Sequence, residues 1–315
     1  VLLAGCAGVQ SALDPAGRDA ALIAEIGWIM TAAGAAIFVL VLALLAWAIY
    51  APPRARNWLG HRAVVIGGGI AFPVVVLTAV LVYGLALAGG MVRPPADPLR
   101  IAVVGEQFWW RVHYLGPDGG PKIVSANEVR IPTGRPVEFV LTSADVIHSF
   151  WIPSLDGKLD MIPGHVNRLV LQASRPGIYR GQCAEFCGLQ HALMAFDVVA
   201  TEPQDFARWI EAEARPAAAP ADAFPARGQK VFAENGCGAC HTIRGTDAAG
   251  TIGPDLTHVG GRLSLAAGTL ANNPGAFAAW VAHSQTIKPG NLMPSFDMLA
   301  AEDLRALAAY LESLK

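Results

Sequence analysis

At 315 residues the chain exceeds one ordinary domain, and 53% hydrophobic against 15% charged residues points to a partly membrane-embedded protein. A formal net charge of -2 provides no basic excess, which removes nucleic acid as an electrostatic partner. Five cysteines, Cys6, Cys183, Cys187, Cys237 and Cys240, form an odd set with two close pairs, unlike a disulfide-stapled fold.

In chain order, the first feature is Cys6, which follows Leu3, Ala4 and Gly5 after an apolar start. This resembles the lipobox of bacterial lipoproteins, so residues 1–24 are expected as a lipoprotein-like segment, with lipid on Cys6 and residues 1–5 the tail of a cleaved signal. An apolar run then extends from about Glu25 to Tyr50, and a second from about Ala63 to Gly90. At about 1.5 Å per helical residue each exceeds the roughly 30 Å of a bilayer's hydrocarbon. Residues 25–92 are therefore expected as a transmembrane hairpin, with Pro73 and the Gly67, Gly68 and Gly69 run tolerated where neighbouring helices pack closely. Arg54, Arg56 and Arg62 lie between the spans without a carboxylate, which places that loop in the cytoplasm and both termini outside.

From about residue 93 the pattern changes to short β-branched and aromatic runs: Arg100 to Val104, Phe108 to Tyr114, Glu128 to Ile131, Val137 to Thr142, Asn167 to Gln172 and Ala195 to Ala200. Turn residues at 116–120 and 133–134 punctuate them, and a β-sandwich or small barrel is expected. Within it lie Cys183, Cys187, His191 and Met194, with His148 upstream. Thiolate, imidazole and thioether are ligands that suit copper. A second thiolate four residues from the first lets two sulfurs bridge two ions, each also held by one histidine, with Met194 and the Glu185 carbonyl as weak outer ligands. The rival readings of the pair are a disulfide, a structural zinc site and a copper-delivery module.

This block resembles the binuclear copper motif of cytochrome c oxidase subunit II, and the two spans resemble that family's membrane hairpin, over roughly residues 20 to 205. The resemblance implies a cupredoxin-like domain at 93–204 with copper ligands His148, Cys183, Glu185 through its carbonyl, Cys187, His191 and Met194. It further implies a magnesium ion on the Glu185 side chain at the contact with subunit I. One departure stands out. The family often has Gln-Trp-Tyr-Trp beneath the copper, with the first Trp receiving the incoming electron; here the run is Gln107-Phe108-Trp109-Trp110. Both an electron port and plain core packing remain open for Phe108 and Trp109.

A short amphipathic helix is expected from Asp205 to Ala214, then a Pro/Ala linker to residue 223 that reaches only some 30 Å at about 3.1 Å per residue. The domain at 224–315 opens with a helical stretch around Arg227 to Glu234. Cys237-Gly238-Ala239-Cys240-His241 follows, where two thiols can take the two vinyl groups of one haem and the histidine its iron. Met293 before Pro294 is the expected opposite axial ligand, with Met298 its rival, and a Met/His pair favours electron transfer over oxygen binding. Ala301 to Leu314 has helical spacing. These features, with Gly253-Pro254-Asp255-Leu256, resemble a class I cytochrome c domain over about residues 222 to 315. His61, His113, His165, His258 and His283 are read as ordinary surface or pocket residues.

The expected architecture is a two-helix transmembrane hairpin, then a cupredoxin-like β-sandwich, then an all-α cytochrome c domain. In electrical order an external donor, a cytochrome c or a membrane-bound carrier, would reduce haem c. The electron would pass to the copper pair and on to subunit I, with subunit III completing the bacterial inner-membrane complex. That complex would oxidise cytochrome c with oxygen and translocate protons, its oxygen site lying on another subunit and its copper and haem domains on the periplasmic side. The rivals are an electron-transfer component of a nitric or nitrous oxide reductase, a quinol oxidase subunit, which typically lacks the copper ligands, and a copper-binding module without an oxidase role.

Overall fold

The computed structural model describes residues 7–91 and 97–315. Cys6 and the expected signal remnant lie outside the described residues. The chain divides into two compact units, one comprising residues 21–94 and the other the N-terminal twenty residues with everything from residue 95 onward.

The smaller unit is the apolar hairpin. Its helices run Arg18–Tyr50 and Arg62–Met91, with mean hydropathy 2.6 and 2.5 in their most apolar windows, long and apolar enough to cross a membrane. The second widens into a π turn at Gly67–Ala71. That turn stands immediately before Pro73, which has no N–H for the carbonyl four residues back, so the irregularity falls where the ladder is already broken. Tyr83 donates a 2.6 Å hydrogen bond to Glu25 from one helix to the other. The loop between them carries Arg54 and Arg56 in the short helix Pro53–Arg56.

The larger unit contains a sandwich of two five-stranded sheets. Its strands are β1 Leu99–Glu106, β2 Trp109–Leu115, β3 Pro121–Ala126, β4 Glu128–Pro132, β5 Val137–Ser143, β6 His148–Trp151, β7 Lys158–Met161, β8 Asn167–Leu171, β9 Gly177–Cys183 and β10 Ala195–Thr201. One sheet has the order β3-β2-β1-β5-β8 and the other β4-β10-β9-β6-β7. β1 pairs parallel with β5 and β10 parallel with β4; the other neighbours are antiparallel.

Burial alternates along β1 and β2, as strands with one face on a core require. Ile101, Val103, Trp110, Val112, Phe139, Leu141, Phe150, Phe196 and Val198 fill the space between the sheets. Phe150 stacks on Phe196 with centroids 4.7 Å apart, and Trp110 meets Phe196 edge-on at 5.1 Å. A Cβ on Gly181 would stand 2.0 Å from the Phe196 ring, so only glycine fits β9 at that point. The N-terminal segment is tied to this sandwich: Ala16 N donates to Ser154 O, Ser174 N to Ala16 O, and Arg180 N to Val9 O.

A linker helix, Pro203–Glu213, leads to the second domain of this unit, with helices Ala223–Glu234, Pro274–Ile287 and Ala301–Ser313. Phe224 and Pro225 belong to the first turn of the helix Ala223–Glu234. Proline is tolerated there because first-turn N–H groups have no intrahelical acceptor. Gly228 allows the first helix to cross the last closely, since a Cβ there would stand 2.0 Å from Ala306 O. The linker is bonded along its path: Ala217 N donates to Arg244 O at 2.8 Å, and the Arg215 carbonyl is 3.0 Å from His258 Nε2.

Candidate metal centre and haem pocket

Three elements of the sandwich converge at its end. β6 begins with His148, β9 ends with Cys183, and the loop to β10 carries Cys187, His191 and Met194. Cys183 N donates to Met194 O at 2.9 Å and Ala184 N to Ser149 O at 3.0 Å, which closes the loop on itself and on β6. The outcome is a tight cluster. Ligand atoms of His148, Cys183 and Cys187 lie within 4.8 Å of one another. Cys183 Sγ is 3.8 Å from His148 Nδ1 and 3.1 Å from the Glu185 carbonyl oxygen; Cys187 Sγ is 3.7 Å from both His191 Nδ1 and Met194 Sδ. All six residues read from the sequence meet here. A soft, mixed sulfur and nitrogen set of this kind fits copper.

The rings and sulfurs are held from behind. His148 Nε2 is 2.8 Å from Asp145 Oδ1, which leaves Nδ1 for the metal side. Asp145 Oδ2 also accepts from Gln107 N at 2.6 Å, and Gln107 Nε2 donates to the Cys187 carbonyl at 2.6 Å. A Cβ on Gly188 would stand 2.9 Å from that Gln107 nitrogen, and one on Gly105 2.7 Å from the His148 ring. Gln107 escapes sequence reasoning because its partner Cys187 lies eighty residues away, and Asp145, three residues from His148, because a single aspartate near a histidine makes no motif.

Electrostatics at the cluster follow from proximity. The thiols share a hydrogen bond, which makes the first ionisation easy: Cys183 is pushed down by its bond with Cys187 and then, against burial, by bonds from His148 and the backbone. The second is hard, because Cys187 is pushed up by its bond to Cys183, by burial and by the neighbouring charge. Burial works against a charged His148, yet bonds to Cys183 and Asp145 outweigh it and the net shift is upward. A bound cation would reverse the upward shifts at Cys187 and His148 and reinforce the downward one at Cys183, since metal binding displaces protons from thiols and imidazoles.

The second site is a pocket in the helical domain lined by Cys237, Cys240, His241, Pro254, Arg262, Phe277, Trp280, Met293 and Leu311, and also by Gln107, Phe108 and Trp109 of the sandwich. His241 Nδ1 lies 2.8 Å from the Pro254 carbonyl, leaving Nε2 for an iron. A Cβ on Gly253 would stand 2.6 Å from that ring. Burial lowers the pKa of His241, favouring the neutral imidazole that coordination needs.

Met293 is fixed by its backbone. Ser284 Oγ and Gln285 Nε2 donate to its carbonyl at 2.9 and 2.7 Å, and its N–H reaches Asn291 Oδ1 at 2.8 Å. Met298 is 74% exposed and does not line the pocket. Arg262, which burial pushes below the usual guanidinium range, lines the pocket with its Nε buried and without a partner. A guanidinium lining a largely apolar pocket suits the carboxylate of a haem.

Lys288 also lines this pocket, at 2% exposure. Burial pushes its amine down to about 7, while three carbonyl oxygens at 2.8 to 3.0 Å accept from it, the full donor count of the ammonium form. Nothing in Ile-Lys-Pro-Gly signals this role in the sequence.

A cupredoxin-like sandwich with a two-thiol metal loop, joined to a helical Cys-x2-Cys-His domain and an apolar hairpin, defines a membrane-anchored redox protein. Comparison narrows the class. The family described as "Cytochrome C oxidase subunit II, periplasmic domain" matches residues 117–201, and the family "Cytochrome c" matches residues 225–315. Cytochrome c oxidase subunit 2 of Alkalihalophilus pseudofirmus is 34% identical over 330 aligned positions, covering 100% of this chain and 94% of the relative. Its counterpart in Bacillus subtilis is 32% identical over 257, covering 77% of this chain and 71% of the relative. Among solved structures, the periplasmic domain of subunit II from Bradyrhizobium japonicum is 33% identical, covering 38% of this chain and 95% of that one at a TM-score of 0.35. The chain belongs to the cytochrome c oxidase subunit 2 family. It is an electron-transfer subunit of an oxidase, with copper-type and haem-type domains on one chain.

Proposed function

We propose that this subunit takes single electrons from an external cytochrome c or a membrane-bound donor at its helical domain and delivers them through its sandwich to subunit I, where oxygen is reduced. The observation that carries this reading is the shared wall: Gln107, Phe108 and Trp109 of the sandwich line the pocket that holds Cys237, Cys240, His241 and Met293. Two one-electron sites with a common wall suit transfer in series.

In this reading His148, Cys183, Cys187, His191, Met194 and the Glu185 carbonyl hold two copper ions. Cys237 and Cys240 would attach one haem c, His241 and Met293 would be the candidate ligands of its iron, and Arg262, which lines the same pocket, would offer a cation to one of its carboxylates. When bound, these groups supply the one-electron couples, with a Met/His pair raising the haem potential. The chain's own part is to hold them still: Asp145 fixes the His148 ring and Pro254 the His241 ring, Gln107 braces the thiol loop, and the aromatic core beneath His148 keeps water out.

Among the described residues the Glu185 carboxylate accepts from the adjacent Phe186 N at 3.1 Å, which leaves it available to a magnesium ion. One carboxylate is not a magnesium site, which needs about six oxygens, so the others would come from subunit I and water. The hairpin anchors the subunit beside subunits I and III in a bacterial inner membrane, both redox domains on the periplasmic side, and Cys6 would add a lipid anchor. The whole complex would translocate protons while oxidising cytochrome c.

The test is spectroscopic. The purified protein should show a c-type haem absorption band and a mixed-valence copper signal by electron paramagnetic resonance, in a ratio of one haem to two coppers. Absence of either signal in protein otherwise intact would overturn the reading.

A further inference from the structure

The turn at residues 288–290 belongs to the helical domain, yet the sandwich holds it. Lys288 Nζ donates to the carbonyls of Phe108 at 2.8 Å, Leu193 at 2.8 Å and Ala266 at 3.0 Å. Phe108 lines the haem pocket. Leu193 immediately precedes Met194 on the thiol loop. Ala266 lies in the helical domain's own loop at φ 52°, and the next carbonyl, Ala267 O, accepts from Ala195 N at 3.0 Å.

The neighbours of Lys288 repeat the pattern. Gln190 Nε2, beside His191, donates to Pro289 O at 2.8 Å, and a Cβ on Gly290 would stand 3.4 Å from Leu189. Three consecutive residues of one domain thus rest on residues 189–193 of the other. All the acceptors of Lys288 are carbonyls, none a carboxylate. If filling space were the only need, an apolar side chain would do so without desolvating an ammonium. What a lysine adds is a three-way tie between the thiol loop, the pocket wall and the loop at 266.

We propose that Lys288 is a positioning residue for electron transfer from the haem domain to the copper domain: its ammonium seats the haem pocket on the thiol loop and sets the separation of the two centres. This rests on the reading above, in which both groups are bound. The transfer moves one electron, oxidising the haem and reducing the copper pair, with no proton moved and no bond made or broken in the chain. Because tunnelling falls steeply with distance, loosening one seat is enough to slow it.

The experiment uses the intact oxidase complex carrying Lys288→Met. Haem and copper content are measured by absorption and paramagnetic resonance, midpoint potentials by redox titration, amide hydrogen exchange at residues 265–269 and 288–291 by mass spectrometry, and haem-to-copper transfer by flash reduction. The expected result is wild-type content, exchange faster by tenfold or more in both segments, and transfer slowed by roughly tenfold beyond what any change in potentials explains. Exchange at the wild-type rate, or loosened segments with transfer unchanged, would overturn the proposal. If Lys288→Met loses haem or copper, Gln190→Leu, which removes only the neighbouring tie, serves instead: a smaller change in both readouts supports the proposal, and unchanged transfer with faster exchange sinks it. Wild-type complex lacking haem c or the copper signal would instead break the functional reading, so the two failures are distinct.

Discussion

The copper and haem domains solve the same problem by different means. In the sandwich, candidate ligands are gathered by β-ladders: β6 and β9 are hydrogen-bonded neighbours, and a twelve-residue segment from Cys183 to Met194 is cinched where Cys183 N meets Met194 O. In the helical domain, His241 and Met293 are brought to one pocket by turns, His241 on the Pro254 carbonyl and Met293 on Ser284, Gln285 and Asn291. The first hangs its ligands on hydrogen-bonded strands; the second hangs them on turns around a pocket and depends on what fills it. The copper site should therefore tolerate disturbance of the haem domain better than the reverse.

The sharpest break of that comparison is Cys187→Ser. It should abolish the binuclear paramagnetic signal and reduce electron delivery to oxygen by at least a hundredfold, while haem remains covalently attached, as a gel stained for haem would show. Next, Met293→Ala should lower the haem midpoint potential and open the sixth position to added ligands such as cyanide, whereas Met298→Ala should leave the haem spectrum as it is. The reverse pattern would reassign the axial ligand.

Smaller effects probe the scaffold. Gly181→Ala forces a methyl into the Phe196 ring and should cost about 1–3 kcal/mol of stability, measured as a lower thermal midpoint of the copper domain's transition. Asp156→Asn should act in the other direction. Burial raises the Asp156 carboxyl from its ordinary 3.8 to about 7, so the folded chain keeps a proton that the unfolded chain has released. Stability from this group is full below about pH 4, falls as pH rises, and is flat above about 7. The Asn variant should gain up to about 4 kcal/mol at pH 8 and nothing at pH 4. A thermal midpoint unchanged at pH 8 would show that Asp156 does not hold its proton in the fold.

Each of the six strand segments expected from alternation and β-branched content lies in or overlaps an observed strand. β3, β6, β7 and β9 were not legible, for local reasons. β6 and β7 are four residues each, β3 opens on a proline, and β9 carries Gly177 and Gly181, one of them required by the Phe196 ring. The thiol loop was legible because its members are contiguous and chemically unusual. Asp145, Gln107, Arg262 and Lys288 were not, because an aspartate, a glutamine, an arginine and a lysine acquire meaning only from partners: Lys288 reaches Phe108 across 180 residues. Phe108, open between port and packing in the sequence, is 5% exposed and forms part of the haem pocket's wall.

The bonded linker at residues 214–222 alters the kinetics of the circuit. Two redox proteins that meet by diffusion react at a rate set by concentration and screened by salt. With the Arg215 carbonyl beside His258 and Ala217 bonded to Arg244, the partner is always present, and the encounter becomes a first-order event at high effective concentration. Haem-to-copper transfer should then ignore dilution and ionic strength, leaving both dependences to the single step in which an outside donor arrives.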